Sequence, residues 1–234
     1  MRVPNERLLH GFSEAAADNE LGLSADVSRR LAQEHPYELV LPENYEPGYA
    51  YPLLVFLHDD GANEQHIHRW MNLISRQNFL GLGIRAPLLD TSMLPGRFRW
   101  ARRRRPLYRQ LHAILNDVNE QWNIHPQRIV LMGEGTGALL SLRIWLRHYR
   151  SFSGLIAIRP EADWGSKLPP LSTNLEGRML LTGSDATAPS SAAALDGLAE
   201  NGAEIYLAPA DCTNQELGTT IEAWLMAGIS TTIW

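Results

Sequence analysis

The turn Gly133-Glu134-Gly135-Thr136-Gly137 lies between an apolar run, RIVLM, and an amphipathic one, ALLSLRIWL. A glycine-rich turn that ends a strand and opens a helix serves one of two chemistries. It presents a nucleophile on a strained backbone, as in G-x-S-x-G, or its N–H groups cradle a phosphate. The central residue here is Gly135, which has no side chain to attack with. A second stretch, HDDGANEQHIHRW, gathers His58, Asp59, Asp60, His66 and His68. These are metal-ligand types. A helix starting near Asn63, with Glu64 in its first turn, would send His66 and His68 to different faces, so no metal site is expected. A third, Arg97-Phe98-Arg99-Trp100-Ala101-Arg102-Arg103-Arg104-Arg105, has two readings. Arg97, Arg99, Arg102 and Arg103 grip an anion while the aromatics stack, or the loop is solvated and pairs with this acidic chain's own carboxylates. Last, Cys212 follows Asp211. A reactive thiol needs a base or cation beside it, and none is near in sequence. The other reading is a small packing residue.

These residues need elements to position them. Apolar runs at Tyr37–Leu41, Leu53–His58, Leu80–Ile84, Ile129–Met132, Leu155–Ile158, Met179–Thr182 and Glu204–Ala208 lack polar alternation, which predicts strands covered on both faces. Between them lie helical stripes. After Pro106, Leu107, Leu111, Ile114, Leu115, Val118 and Trp122 recur at spacings of three and four. Others follow Gly137 and begin near Glu216. Alternation of strand and helix predicts an α/β domain with a mostly parallel central sheet flanked by helices on both faces. Ligands then bind beyond the carboxyl ends of the strands, in the loops after His58, Met132, Thr182 and Ala208. Residues 1–34 stand apart as a helical N-terminal extension, with Ser24 as an N-cap. Residues 35–234 form the α/β domain.

Composition narrows the classes. The chain has 234 residues, 44% hydrophobic, enough for one domain with a large core. A formal net charge of −5 argues against general nucleic-acid binding. A single cysteine forms no disulfide within the chain and fits a reducing compartment. The opening MRVPNERLLHGF lacks the apolar core of a signal peptide. The apolar run Leu53 to Leu57 is far short of the roughly 20 residues that span a bilayer. A cytoplasmic protein with no membrane contact is the expectation.

Several blocks together resemble the carboxylesterase/phospholipase group of the α/β-hydrolase superfamily, over roughly Tyr37 to the C-terminus. YPLLVFLHDDGANE resembles its strand and oxyanion loop, usually LHGxGxN. NIHPQRIVLMGEGTGALLSLRIWLRHYRSFSGLIAI resembles its nucleophile elbow, helix and next strand, and RMLLTGSD the strand before its acidic triad residue. The resemblance implies the α/β-hydrolase fold. It also assigns slots that this chain fills unusually. Gly135 stands in the nucleophile slot, and Thr136, one residue later, offers a backbone N–H to the oxyanion. Asp60 offers the second N–H, but His-Gly-x-Gly has become His58-Asp59-Asp60-Gly61, and two carboxylates oppose a developing oxyanion. His58 matches a position that supports this loop. The acid slot holds Asp185 or, one residue on, Ala186. The histidine slot falls at Ala208–Asn214, where Cys212 is the nearest occupant, and no histidine follows His148. Without imidazole, no group there passes a proton from hydroxyl to leaving group.

These residues are compatible with two functions. One is a non-enzymatic relative with a degenerate triad, without cofactor, binding a small acyl, ester or anionic ligand or a protein partner. The other is a hydrolase or lyase of altered chemistry that uses Asp59, Asp60, Asp185 or Cys212.

Overall fold

The computed structural model describes residues 36–90, 96–101, 107–171, 175–183 and 188–231. The expected N-terminal extension, Asp185, Arg102 and Arg103 lie outside them. Seven strands build one sheet: β1 (Tyr37–Val40), β2 (Tyr51–Leu57), β3 (Leu80–Ile84), β6 (Ile124–Glu134), β7 (Gly154–Ile158), β8 (Gly177–Thr182) and β9 (Ala203–Ala208). Their order is β1-β3-β2-β6-β7-β8-β9. β1 runs antiparallel to β3, and the remaining pairs are parallel. A small separate hairpin pairs β4 (Leu88–Leu89) with β5 (Phe98–Arg99).

Residues of β2 alternate between two cores. Leu53, Val55 and Leu57 face one side with Leu111, Ile114 and Val118 of α2 (Leu107–Gln121), Leu142 and Trp145 of α3 (Thr136–His148), and Leu198 of α4 (Pro189–Glu200). Leu54 and Phe56 face the other side with Ile67, Trp70 and Met71 of α1 (His66–Ile74) and with Leu217, Ile221 and Trp224 of α5 (Asn214–Thr231). Both faces are therefore covered, which is why the central strands show no polar alternation.

The expectation that all seven strands are covered on both faces fails at the edges. β1 is half-buried throughout, and β9 exposes Tyr206 and Leu207. An edge strand has one neighbour and less helix over it, so its apolar residues reflect β-propensity as much as burial. The helix expected from Asn63 begins at His66 instead. Glu64 lies in the preceding turn and is buried against Arg85. α4 was not signalled by periodicity. Its PSSAAALDGLAE buries Ser191 and Leu198, and small residues leave the stripe faint.

The order of the strands reverses at β2. The chain adds β3 on one side of it and then returns to place β6 on the other. The crevice beyond the carboxyl ends of β2 and β6 is the topological switch point, where such sheets bind ligands. The loop 58–65 and the turn at Gly135 both open there.

Candidate functional site

The turn after β6 is sharp because its glycines admit close backbone. Gly135 has φ 57° and ψ −120°, a region that side-chain-bearing residues enter only with strain. A Cβ on Gly137 would strike the carbonyls at the end of β2, lying 2.5 Å from the His58 oxygen. Helix α3 therefore starts hard against β2, and the Gly135 N–H is tied to the Ile158 carbonyl at 3.0 Å. The first free amide beyond is that of Thr136, directed into the crevice.

That amide is taken by Asp59. Oδ1 of Asp59 accepts the Thr136 N–H at 2.8 Å and the Asp60 N–H at 2.9 Å. Two convergent backbone donors within 2.7–3.1 Å of one oxygen are the geometry that stabilises an oxyanion. Here the oxygen they hold belongs to the chain itself. The same carboxylate also fills the space a side chain at 135 would need. A Cβ built on Gly135 would lie 2.5 Å from Oδ2 of Asp59, and closer still to Cγ and Oδ1. Sequence reasoning placed Asp59 beside the donors as an electrostatic opponent. Its occupation of them depends on a side-chain rotamer and was not legible in the sequence.

The loop carrying Asp59 is braced from beneath. His58 is fully buried, with Nδ1 2.7 Å from the Asp59 carbonyl and Nε2 3.1 Å from the Ala86 amide nitrogen. A carbonyl only accepts and an amide N–H only donates, so the ring is neutral with its proton on Nδ1. Burial lowers its pKa, which agrees. Both nitrogens are engaged, so His58 supports the loop and has no lone pair to offer a metal or substrate. Among the described residues, no group of three or more His, Cys, Asp or Glu converges to hold a metal.

Part of the arginine-rich segment does this bracing. Phe98 exchanges hydrogen bonds with the loop, accepting from Gly61 N–H at 2.9 Å and donating to the Ala62 carbonyl at 2.8 Å. The Trp100 N–H donates to Oδ1 of Asp60 and its Nε1–H to the His58 carbonyl, both at 2.7 Å. The indole is buried and lies 5.1 Å from the His58 ring. The two aromatics thus hold the loop 58–65, a role neither sequence reading of this segment assigned. Arg97 is half-buried and Arg99 exposed. Partial desolvation pushes the Asp60 carboxyl up. The Trp100 N–H pulls it down, Asp59 and Glu161 push it up again, and Arg99 opposes with a weaker pull.

Other residues of the rim were missed because they simply follow strand ends. The Thr136 hydroxyl donates to Glu161 at 3.0 Å, and Glu161 pairs with Lys167 at 2.8 Å. That lysine, then Thr136, holds the Glu161 carboxyl below its usual range against desolvation. Arg159, directly after β7, reaches Asn214 at 2.9 Å and lies 3.7 Å from Glu134. Glu134 in turn accepts the Trp70 indole N–H at 3.1 Å. The position after each strand's last apolar residue is a signal that could have found Arg159. Cys212 lies in the loop between β9 and α5, half-buried against the apolar cluster beneath α5. Its S–H donates to the Pro209 carbonyl at 3.1 Å. His66, the described histidine on α1 nearest this rim, has its pKa lowered by burial, with Glu134 opposing and Arg97 and Arg69 adding to the effect. His68 is drawn away to Glu38 at 2.7 Å.

No protein-family model matches the chain, and no curated protein sequence matches it significantly. Solved structures do match. A carboxylesterase from Bacillus cereus aligns with a TM-score of 0.64 at 15% identity, covering 88% of this chain and 100% of that one. A carboxylesterase from Mesorhizobium loti aligns at 0.60 and 19% identity, covering 82% and 95%. An S-formylglutathione hydrolase from Staphylococcus aureus aligns at 0.57 and 10% identity, covering 83% and 92%. The chain has the α/β-hydrolase fold, and its structural neighbours are carboxylesterases and other serine hydrolases.

Proposed function

We propose that this chain is a non-catalytic protein on an ester-hydrolase scaffold, keeping the cleft to bind a small acyl, ester or anionic ligand or a protein partner. The observation that carries this reading is the Asp59 carboxylate held by the Thr136 and Asp60 amides. An acyl substrate must set its carbonyl oxygen between those two donors. A neutral carbonyl would have to displace a charged acceptor, and charge-assisted hydrogen bonds are roughly twice as strong as neutral ones. The competitor is also tethered one residue away, so it never dilutes.

The remaining slots support the same reading. Gly135 offers no attacking atom. The acid slot falls at Asp185 or Ala186, and the histidine slot, whose nearest occupant is Cys212, carries no imidazole. Among the described histidines, His58 is committed as a neutral strut, His68 is drawn to Glu38, His125 lies in β6 before the apolar stretch that leads to the turn, and His112 and His148 lie on α2 and α3 with His148 stacked on Tyr108 at 3.5 Å; His66 on α1 is the one left facing the rim. Arg97, Arg99, Arg102 and Arg103 are proposed as the anion-attracting rim.

Incubation with p-nitrophenyl acetate and butyrate, and with a fluorophosphonate probe read by intact mass, tests the proposal. Hydrolysis at the buffer rate and no mass adduct are expected. Saturable turnover defeats the non-catalytic reading. An adduct at Cys212 or at an acidic cleft residue would replace it with altered chemistry at that residue.

A further inference from the structure

The opposite end of the sheet holds a second recess, remote from Gly135 and independent of the reading above. Helix α5 crosses the amino-terminal ends of β2, β6 and β8 and leaves a cavity of about 120 Å³. Its body is apolar, with Leu54, Phe79 and Val130 on the sheet side and Trp224 and Ile229 on the helix. A cavity of roughly 150 Å³ lined by such side chains holds one benzene ring. The recess here is smaller but opens to solvent, so it seats one flat ring with its polar group projecting toward the mouth.

The lining of the cavity also carries positive charge. Arg128 and Arg178 both line it. Arg178 is partly committed: it donates to the Trp224 carbonyl at 3.1 Å, lies 4.4 Å over the Trp224 ring, and faces Glu204 at 4.0 Å. The Glu204 side chain is 77% exposed, so it balances that charge weakly. Arg128 has less. Its Nε is buried with no hydrogen-bond partner, and the titratable group beside it is His125, whose pKa burial and then Arg128 itself depress. Among the described residues no salt bridge joins Arg128 to a carboxylate, so its guanidinium brings net positive charge to the recess. Ser153, also on the wall, gives its hydroxyl proton to the Ile129 carbonyl at 3.2 Å and presents lone pairs on the other side. A ligand with its own O–H or N–H is not excluded by it, but the guanidinium sets the charge.

We propose that this cavity binds a small carboxylate with a flat apolar body, about the size of benzoate. The carboxylate meets Arg128, with Arg178 flanking, and the ring lies against Trp224 and Phe79. Guanidinium and carboxylate match in planarity and in paired donors and acceptors, and the apolar walls supply the rest.

The test titrates the full chain with benzoate and with its neutral isostere benzamide, by calorimetry and tryptophan fluorescence. Benzoate is expected to bind saturably at one site and to change Trp224 emission, an effect lost in Trp224→Phe. Benzamide and the Arg128→Met variant should each bind at least about tenfold more weakly, the size of one charge-assisted hydrogen bond. Arg97→Met should leave binding unchanged. Ile229→Trp, which fills the cavity from the helix side, should abolish it and stands in if Arg128→Met does not fold. No saturable signal up to about 10 mM benzoate, a weak affinity by any standard, overturns the proposal. So does equal affinity for benzamide, or loss of binding in Arg97→Met instead of Arg128→Met, which would put the ligand in the upper cleft.

Discussion

Gly135 and Asp59 are two halves of one arrangement. The carboxylate occupies the volume that any side chain at 135 would claim, and it ties up the amides that such a side chain would serve. Gly135→Ser therefore carries two penalties. Holding serine at φ 57° and ψ −120° costs on the order of 1–3 kcal/mol, and its Cβ must also evict Asp59. Destabilisation of about 2–4 kcal/mol is expected by urea denaturation, or a melting temperature lower by roughly 4–16 °C. Asp59→Gly removes the obstacle, so the double variant should be less destabilised than the two single changes summed, with a coupling of about 1–3 kcal/mol. Strict additivity would show that the two residues do not compete for space. The double variant should still not hydrolyse esters, because the stretch Ala208–Asn214 proposed as the histidine slot carries no imidazole to take the serine proton. Adding Cys212→His should bring at most trace turnover of p-nitrophenyl butyrate, with Asp60 still charged beside the developing oxyanion.

At the scale of elements, the loop 58–65 owes its shape to the short strand β5 and to Trp100. A loop of this kind carries buried backbone groups that need partners, and the Trp100 indole supplies one of them to the His58 carbonyl. Trp100→Phe keeps most of the ring volume and removes that donor. Its expected cost is about 1–3 kcal/mol, the penalty for an orphaned buried acceptor, seen as a lower calorimetric melting temperature. A wild-type melting curve would mean that the loop holds itself. The strong elements were legible because their apolar stripes are long: α2 and α3 follow their stripes, and Trp122 lies just past the end of α2, its N–H still on the Val118 carbonyl. Element α4 was faint because alanine and serine carry little of the hydrophobic contrast. The brace at Trp100 was hidden because arginines dominate its neighbourhood and suggest a solvated loop.

Across the whole molecule, charge and burial set the response to pH. His58, His66, His112, His125 and His148 all have lowered pKa values, burial being the largest cause in each, and His148 reaches about 4. A histidine whose folded pKa lies below its unfolded value binds more protons when unfolded. Stability from these groups is thus complete above about pH 6.5 and declines as pH falls toward 4. The melting temperature should drop through that window. His148→Phe, which preserves the stack on Tyr108, should flatten part of the slope while leaving the value at pH 7.5 nearly unchanged. An unaltered slope would show that His148 is not among the groups responsible. No helix among the described residues is long and apolar enough to cross a membrane.

What the amino-acid sequence determined by itself was the scaffold and the spacing of its loops. Period and polarity are properties of neighbouring residues, so runs such as Leu53–Leu57 and stripes such as Leu111–Val118 declare their own partners. It also determined that the turn after β6 carries no side chain at its centre, because Gly135 lacks one in any fold. Only the tertiary structure decided what fills the gap. Asp59 and Thr136 are 77 residues apart, and Arg128 and Trp224 reach a common cavity from different elements. Which rotamer a carboxylate adopts, and which amide it finds, depends on distances between segments that no local pattern records.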